Sequence, residues 1–295
     1  MNAPIIVFAF NRPQALQACV GALLSNQEAA DSDLIVFIDG PRPGRGDESK
    51  VEEVISIADS ITGFKSVEVH TSAANKGLGP SVIAGVSAVI ERYGRAIVVE
   101  DDLVVGPHFL AFMNAGLERY ASNNDVFSIC GYSNKVTKPQ GYVFDAYFCH
   151  RSSSWGWATW EDRWESCDWE LKDWDAACRN GRAFNRWGGS DCFKMLKDWK
   201  EGRNKSWAIR FCYNEFIQGK VSLFPMKSHV TNNGFDGDGT NCKKWSRFKS
   251  EPDLRDSADF IFPDTVTVNK SLLRQNLHYH SLILRACSRV MYMLT

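Results

Sequence analysis

The chain has 295 residues, which is room for one large domain or two small ones. Its 34 basic and 35 acidic side chains leave a formal net charge of −1, so the overall charge draws it neither to nucleic acid nor to an anionic membrane. Apolar residues make up 44% of the chain, enough for a sizeable core, and the lack of any apolar run of about 18 residues argues against a membrane-spanning helix.

The N-terminus and the cysteines indicate a cytoplasmic protein. The opening MNAPIIVFAFNRP has no basic n-region, and Asn11, Arg12 and Pro13 interrupt its apolar stretch early, so no signal peptide is predicted. Nine cysteines without close pairing suit free thiols in a reducing compartment better than a disulfide framework. Because no CxxC motif occurs, a structural zinc site is not expected.

The first part of the chain alternates short apolar runs with amphipathic stretches. The pattern predicts buried strands over 4–10, 34–38, 66–70 and 96–99, and helices over 15–24, 51–61 and 81–93. Strands separated by helices predict an α/β fold, with a doubly wound, mostly parallel sheet covered by helices on both faces.

Polar side chains follow each of these strands, at the edge where a parallel sheet binds its ligands. In chain order they are Asn11 and Arg12, then Asp39, then Asn75 and Lys76, then Glu100, Asp101 and Asp102. The first strand is not followed by GxGxxG, and GxxxxGK[ST] is absent, which argues against a dinucleotide fingerprint and a P-loop.

The second part of the chain is less regular and rich in tryptophan. Helices are predicted over 107–120, 193–199 and 207–217, and strands over 126–130, 142–148 and 221–224. Nine of the ten tryptophans lie between Trp155 and Trp207. This break in composition predicts two chemically different halves.

The sharpest chemical signal is the run Glu100-Asp101-Asp102 directly after an apolar strand. Three adjacent carboxylates repel one another unless something neutralises them. Mg²⁺ or Mn²⁺ is the obvious partner, bound through one or two carboxylates plus substrate phosphates. The alternative is an acidic start to the following helix, since acids favour the first helical turn.

Several segments together resemble N-acetylglucosaminyltransferase I and related GT-A-fold glycosyltransferases, including bacterial sugar transferases of surface-polysaccharide pathways. The similar segments are IIVFAFNRPQALQACVGALL, FIDGPRP, VVEDDLVVGPHFLAFMNAGLERY, FSICGYSN and the turn at Gly156-Trp157. The resemblance reaches Gly239 and so covers about four-fifths of the chain. Each motif is short, and their order and spacing carry the likeness.

The resemblance implies a nucleotide-sugar-binding part over 1–105 and an acceptor-binding part over 106–295. It also implies a role for each polar residue at the sheet edge. Asp102 would ligate Mn²⁺ bridging the donor pyrophosphate, and Glu100 and Asp101 would contact the ribose or the donor sugar. Asp39 would accept the N3–H of a uracil, with Asn11, Arg12, Asn75 and Lys76 near the nucleotide. From the residues alone, Asp39 is equally a turn-initiating residue, and Lys76 a solvated loop lysine.

The general base that an inverting transfer needs is not evident. Ala208 and Ile209 stand where the related enzyme has two aspartates, one of them its base, and neither side chain accepts a proton. The candidates are Glu161, Asp162 and Asp191, although Asp191 also suits a helix cap.

Aromatic faces pack against sugar C–H surfaces, which makes the tryptophans candidate substrate contacts. Trp155, Trp157 and Trp160 are the preferred sugar-facing set, and Trp207 and Asp236 are further substrate candidates. Asp236 lies in a Gly/Asn/Asp-rich loop over 232–241, which in the related enzymes closes over the donor. The alternative is that most of these tryptophans belong to the core.

The C-terminal stretch over 277–293 is amphipathic, with Arg and His among Leu, Ile and Met. It is expected either to lie on the inner membrane surface near a lipid-linked acceptor or to pack on the domain. The sequence as a whole predicts a metal-dependent glycosyltransferase using a UDP-sugar in bacterial polysaccharide biosynthesis. Two alternatives stay open: a silent carbohydrate- or nucleotide-binding module, and a nucleotidyltransferase that makes nucleoside diphosphate sugars.

Overall fold

The computed structural model describes residues 1–234 and 247–294. The strands are β1 Ile5–Ala9, β2 Asp33–Ile38, β3 Ser66–Thr71, β4 Arg95–Glu100, β5 Leu103–Val105, β6 Val126–Cys130, β7 Ala146–Cys149, β8 Trp157–Trp160, β9 Val221–Pro225 and β10 Val230–Asn232. The α-helices are α1 Pro13–Leu24, α2 Glu48–Asp59, α3 Leu78–Tyr93, α4 Phe109–Arg119, α5 Glu161–Glu165, α6 Trp174–Gly188, α7 Cys192–Lys200, α8 Trp207–Ile217, α9 Lys270–Tyr279 and α10 Leu282–Leu294.

Eight strands form one sheet in the order β3-β2-β1-β4-β8-β6-β9-β7, and β5 pairs with β10 in a separate two-stranded ribbon. The pairings give β1, β2, β3, β4, β6 and β9 one direction, with only β7 and β8 reversed. The predicted α/β fold with a mostly parallel sheet is therefore confirmed. This sheet continues from the predicted nucleotide part into the predicted acceptor part.

Helices cover both faces of the sheet, as a parallel sheet requires. On one face α1, α2 and α4 bury residues such as Leu16, Val54 and Phe112 against the strands. On the other face α3, α5 and α8 contribute Val86, Trp164 and other residues to a second core layer. The strands are accordingly apolar on both sides, and β1, IIVFA, is buried along its whole length.

Local sequence explains where several elements begin and end. Pro13 starts α1, where its missing N–H costs no hydrogen bond. Gly94 ends α3 with φ of 72°, in the left-handed region that glycine enters most easily. Asn269 caps α9 by accepting hydrogen bonds from the N–H groups of Ser271 and Leu272.

Three strands are absent from the sequence prediction, namely β5, β8 and β10. Strands β5 and β10 have three residues each, too short to show a period, and they pair across more than a hundred residues of chain. The strand predicted over 142–148 begins later, at Ala146, and the C-terminal amphipathic stretch is divided into α9 and α10. None of the described helices is long and apolar enough to cross a membrane.

Helix α8 carries a fully buried carboxyl group at Glu215, which is 0% exposed. Its Oε2 accepts a hydrogen bond of 2.9 Å from the Ser152 N–H, and its Oε1 accepts one of 2.8 Å from the Ser222 hydroxyl. These donors are neutral, so burial dominates and raises the pKa of Glu215 from 4.5 to about 8. The folded protein therefore holds a proton at Glu215 that the unfolded chain releases.

Replacing Glu215 by glutamine is expected to flatten the dependence of stability on pH. Between the unfolded and folded pKa values of Glu215, the folded state binds one more proton, so the free energy of unfolding falls as the pH rises, by up to about 1.4 kcal/mol per pH unit. Glu215→Gln removes this contribution while keeping a neutral side chain of similar shape. Urea unfolding across pH 5 to 8 measures both slopes, and equal slopes would contradict the assignment.

Candidate functional site

The acidic run Glu100-Asp101-Asp102 lies at the reversal point of the strand order. Strands β2 and β3 lie in that order on one side of β1. Strand β4, the next in the chain, lies on the other side of β1. Glu100 is paired with Phe8 of β1, and the Asp101 N–H donates a 2.9 Å hydrogen bond to the Phe8 carbonyl. Crevices at such reversal points, outside the carboxyl ends of the strands, are where open α/β sheets bind ligands.

The three carboxyl groups lie in a partly buried cluster with one cation. Arg12 Nη1 is 3.6 Å from Asp102 Oδ2, and the Phe10 N–H donates a 3.3 Å hydrogen bond to Asp101 Oδ2. Burial and the charges of Asp102 and Asp101 raise the pKa of Glu100 to about 8. Burial and the charge of Asp102 likewise raise the pKa of Asp101 to about 7, although Arg12 opposes this shift.

The chemistry of this donor set fits a divalent cation. Adjacent carboxylates repel one another, and a divalent cation bound beside Glu100, Asp101 and Asp102 would relieve that repulsion. Among the described residues no group of three or more His, Cys, Asp or Glu side chains could hold a metal ion by itself. The site therefore fits Mg²⁺ or Mn²⁺ held by one or two carboxylates with substrate oxygens completing the coordination, and it does not fit an all-protein cage.

The segment that follows strand β10, far along the chain, contacts Asp102. Strand β10 pairs with β5, and the Asn233 N–H next to it donates a 2.9 Å hydrogen bond to the Asp102 carbonyl. Gly234 then passes so close that a Cβ atom on it would collide with Asp102 Oδ2. This contact positions the Asp102 side chain, and it also explains why glycine occupies position 234.

Asp39 holds the loop that follows β3. Its Oδ1 accepts hydrogen bonds from the N–H groups of Gly40 and Lys76, and its Oδ2 accepts one of 2.8 Å from Gly77. Asn75 joins the same arrangement by donating a 2.9 Å hydrogen bond to the Gly40 carbonyl. Since each carboxylate oxygen has two lone pairs, Oδ2 keeps one acceptor position for a ligand.

Asn11 is engaged in a neighbouring polar cluster. It donates a 2.6 Å hydrogen bond to Asp47, which also pairs with the Arg42 guanidinium at 2.6 Å. The hydrogen bond from Arg42 holds the pKa of Asp47 well below its usual range. Asn11 thus lies at the predicted edge, with its amide group used to fix the loop before α2.

A cavity of about 200 Å³ opens at the same edge of the sheet. Cys130 at the end of β6 and Trp157 at the start of β8 are level with Val98, so the residues after β6 and before β8 lie beside the acidic run. The cavity is lined mainly by aromatic and polar residues. They include Tyr132, Asn134, His150, Arg151, Ser152, Ser153, Ser154, Trp155, Ala208, Ile209, Phe248, Asn276 and His280. Its size is below the roughly 300–1,000 Å³ of sites for drug-sized ligands, which suits one sugar ring.

Trp155 is the predicted sugar-facing residue that the structure places in this cavity. Its ring meets Tyr132 edge-on at 4.6 Å, and the Tyr132 hydroxyl donates hydrogen bonds to Asn134 and to the Phe248 carbonyl. Burial lowers the pKa of His280 well below 6.5, and its Nδ1 is buried without a hydrogen-bond partner in the described part of the chain. His280 therefore lines the cavity as a neutral imidazole.

Trp157, Trp160 and Trp207 do not face a substrate, so this part of the prediction is wrong. Each is at most 5% exposed. Trp157 packs against Trp207 at 4.9 Å, and the Trp160 indole N–H donates a 3.1 Å hydrogen bond to the Leu117 carbonyl inside the core. Strand β8 is central, and helices cover both of its faces. Its two tryptophans, Trp157 and Trp160, are three residues apart and are therefore buried on opposite sides of the sheet.

The structure also contradicts Glu161 and Asp162 as a base beside the acidic run. Strand β8 is antiparallel to β4, and its last residue, Trp160, is level with Arg95 at the start of β4. The two acids therefore lie at the opposite edge, about one strand length or roughly 17 Å away. There Asp162 accepts two hydrogen bonds of 2.7 Å from Arg163.

Asp191 is likewise unsuited to proton transfer, because it is buried in an ion pair. Arg151 donates to its two oxygens at 2.6 and 3.2 Å, and the side chain makes no capping hydrogen bond to α7. Burial alone would raise the pKa of Asp191, but the Arg151 guanidinium outweighs it and holds that pKa at about 2. No carboxylate lies among the described residues that line the cavity, where Ala208 and Ile209 are present instead.

Lys76 and Asp236 are the two remaining site residues that the sequence predicts. Lys76 is exposed in the loop that Asp39 holds, and its backbone N–H donates a hydrogen bond to Asp39 Oδ1. Asp236 lies outside the described residues. Sequence reasoning missed Tyr132, Asn134, Arg151 and His280, although Tyr132 and Asn134 stand in the segment FSICGYSN on which the resemblance partly rests.

Comparison with known proteins gives likeness at the level of the fold. No family model matches the chain. The structure of GalNAc-T7 with UDP, GalNAc and Mn²⁺ is 14% identical, with a TM-score of 0.49 over 84% of this chain and 46% of that one. S. aureus TarS is 9% identical, with a TM-score of 0.44 over 80% and 61%. A nucleoside-diphosphate-sugar pyrophosphorylase from Vibrio cholerae is 11% identical, with a TM-score of 0.41 over 77% and 94%.

GalNAc-T7 and TarS are glycosyltransferases, whereas the third structure belongs to the class that makes nucleoside diphosphate sugars. The chain spans less than half the length of the GalNAc-T7 structure.

Proposed function

We propose that this chain is a metal-dependent glycosyltransferase that moves a sugar from a nucleoside diphosphate donor to a glycan or lipid-linked glycan acceptor. The observation that carries the proposal is the acidic cluster of Glu100, Asp101 and Asp102 at the reversal point between β1 and β4, beside the Trp155 cavity. An acidic cluster suited to a divalent cation and a separate sugar-sized cavity at one edge suit a two-substrate reaction.

The residues divide into two groups by chemistry. On the donor side, Asp102 would hold Mn²⁺ or Mg²⁺, Arg12 would lie near the diphosphate, and Asp39 would use the free position on Oδ2 for the N3–H of a uracil. Glu100 and Asp101 would accept hydrogen bonds from ribose or sugar hydroxyls. A divalent cation, when bound, stabilises the negative charge that develops on a leaving diphosphate by several kcal/mol.

On the acceptor side, the cavity combines a ring face with fixed polar groups. Trp155 presents its ring, and the hydrogen bonds of Tyr132 and Asn134 hold that wall in place. The neutral imidazole of His280 is the group able to accept a hydrogen bond from an acceptor hydroxyl. A sugar in this cavity would thereby be oriented toward the acidic edge.

A thermal-shift screen with nucleoside diphosphate sugars tests the proposed donor. We expect UDP and a UDP-sugar to raise the melting temperature in the presence of Mn²⁺ and much less with chelator, because binding to the folded state alone stabilises it. Slow metal-dependent hydrolysis of the UDP-sugar should accompany binding. Binding without any hydrolysis or transfer would favour a silent binding module, and formation of a nucleoside diphosphate sugar from a sugar phosphate would favour a nucleotidyltransferase.

Truncating Trp155 to alanine is expected to raise the acceptor KM about tenfold, since a sugar loses its stacking surface. Metal-dependent UDP binding should stay unchanged, because Trp155 lies on the cavity wall and not in the acidic cluster. Steady-state kinetics with a saturating donor and varied acceptor measure this change. Trp174→Ala is the matched control, a partly buried tryptophan that does not line the cavity, and an equal KM effect in both variants would contradict the assignment.

A further inference from the structure

Helix α10 exposes apolar side chains on one face. Leu282 is 69% exposed and Ile283 is 74% exposed, and Ala286 and Cys287, one turn further on, are also exposed. Positions separated by one, four and five residues lie on the same face of an α-helix. Leucine and isoleucine at such exposure leave a continuous apolar strip in contact with water.

The opposite face of α10 is polar and packs on the protein. Arg285 Nη1 donates a 3.1 Å hydrogen bond to the Ser190 hydroxyl, and Arg247 Nη1 donates one of 3.2 Å to Ser288. Ser288 is 2% exposed. A helix at the surface of a globular domain normally buries its apolar face, and α10 does the reverse. The apolar strip therefore does not contribute to the core that the structure describes.

The same part of the chain is positively charged. Sequence 265–295 contains no Asp or Glu, whereas Lys270, Arg274, Arg285 and Arg289 all lie in α9 and α10. Lys270, Arg274 and His278 are exposed on α9 at intervals of four residues, which places them on one side of that helix. The net charge of −1 for the whole chain hides this local excess.

We propose that α9 and α10 attach the protein to the surface of an anionic lipid bilayer, with the apolar strip of α10 at the level of the acyl-chain boundary. An apolar face beside basic side chains is what such an interfacial helix presents to anionic headgroups. A second copy of the chain is a poorer occupant, because sequence 265–295 offers no Asp or Glu that could pair with the basic side chains of the same segment in another copy. This attachment does not depend on the proposed sugar transfer.

Sedimentation of the full chain with lipid vesicles tests the attachment. The protein should bind vesicles containing phosphatidylglycerol and bind pure phosphatidylcholine vesicles weakly, with binding to the anionic vesicles reduced by salt. The double variant Leu282→Glu with Ile283→Glu should lower the partition coefficient at least about tenfold. Lys270→Glu with Arg274→Glu should remove the preference for phosphatidylglycerol.

Leu254→Glu is the matched control, since Leu254 is 71% exposed and lies outside α9 and α10. This control should bind vesicles like the unchanged protein, and circular dichroism should show the same melting temperature for every variant. Absence of vesicle binding, or equal binding by the α10 variant and the control, would overturn the proposal. Dimerisation through α10 without vesicle binding, seen by light scattering, would overturn it as well.

Discussion

Replacing Asp102 by alanine is expected to reduce metal-dependent sugar transfer by at least about a thousandfold, which corresponds to about 4 kcal/mol of lost stabilisation. Asp102 is the acid of the cluster that lies next to Arg12 and under Gly234, at the position where a cation would meet the donor phosphates. Glu100 and Asp101 do not replace it, because partial burial raises the pKa of each.

The same variant should lose the rise in melting temperature that UDP and Mn²⁺ produce together. Without metal it should melt within a few degrees of the unchanged protein, because removing one of three mutually repelling carboxylates relieves strain at the site. Glu91→Ala, on an exposed position of α3, is the control and should keep both activity and the metal response. Unchanged turnover in Asp102→Ala would refute the metal assignment.

The second large effect concerns stability. Asp191→Ala is expected to lower the free energy of unfolding by about 3–5 kcal/mol, because it leaves the Arg151 guanidinium buried without its carboxylate. The two side chains are only 11% and 15% exposed, so water does not screen the pair effectively. The double variant Arg151→Ala with Asp191→Ala should lose less stability than Asp191→Ala alone, since no buried charge is then left unpaired.

The contribution of Asp191 also has a defined dependence on pH. Its folded pKa of about 2 lies below the ordinary value of 3.8, so the stabilisation is complete above about pH 4 and is lost as the pH falls through 2. Urea unfolding between pH 2 and 6 should show a smaller loss in Asp191→Ala than in the unchanged protein, because carboxylates such as Asp47 contribute equally to both. If Asp191→Ala instead kept full stability and lost transfer, Asp191 would regain the catalytic role first predicted for it.

The parts of the site that depend on local pattern are predictable from the order of the residues alone. Apolar runs separated by helices predict a parallel sheet, and a parallel sheet brings Arg12, Asp39 and the acids at 100–102 to one edge, which the strand order confirms. This inference needs only the direction of four consecutive strands. A helix between two neighbouring strands returns the chain to the edge where the first strand began, so that the second strand runs parallel to it.

The direction of β8 and the burial of its tryptophans depend on contacts with distant parts of the chain, and the local sequence does not predict them. An antiparallel β8 moves Glu161 to the opposite edge, and the spacing of residues along a short strand does not report its direction. Trp157 and Trp160 are buried because helices cover both faces of β8, which depends on contacts far along the chain. The pairing of β10 with β5, which brings Gly234 onto Asp102, is decided in the same way. Local sequence fixes neither partner nor register for three-residue strands, because packing of the whole chain supplies the energy that selects them.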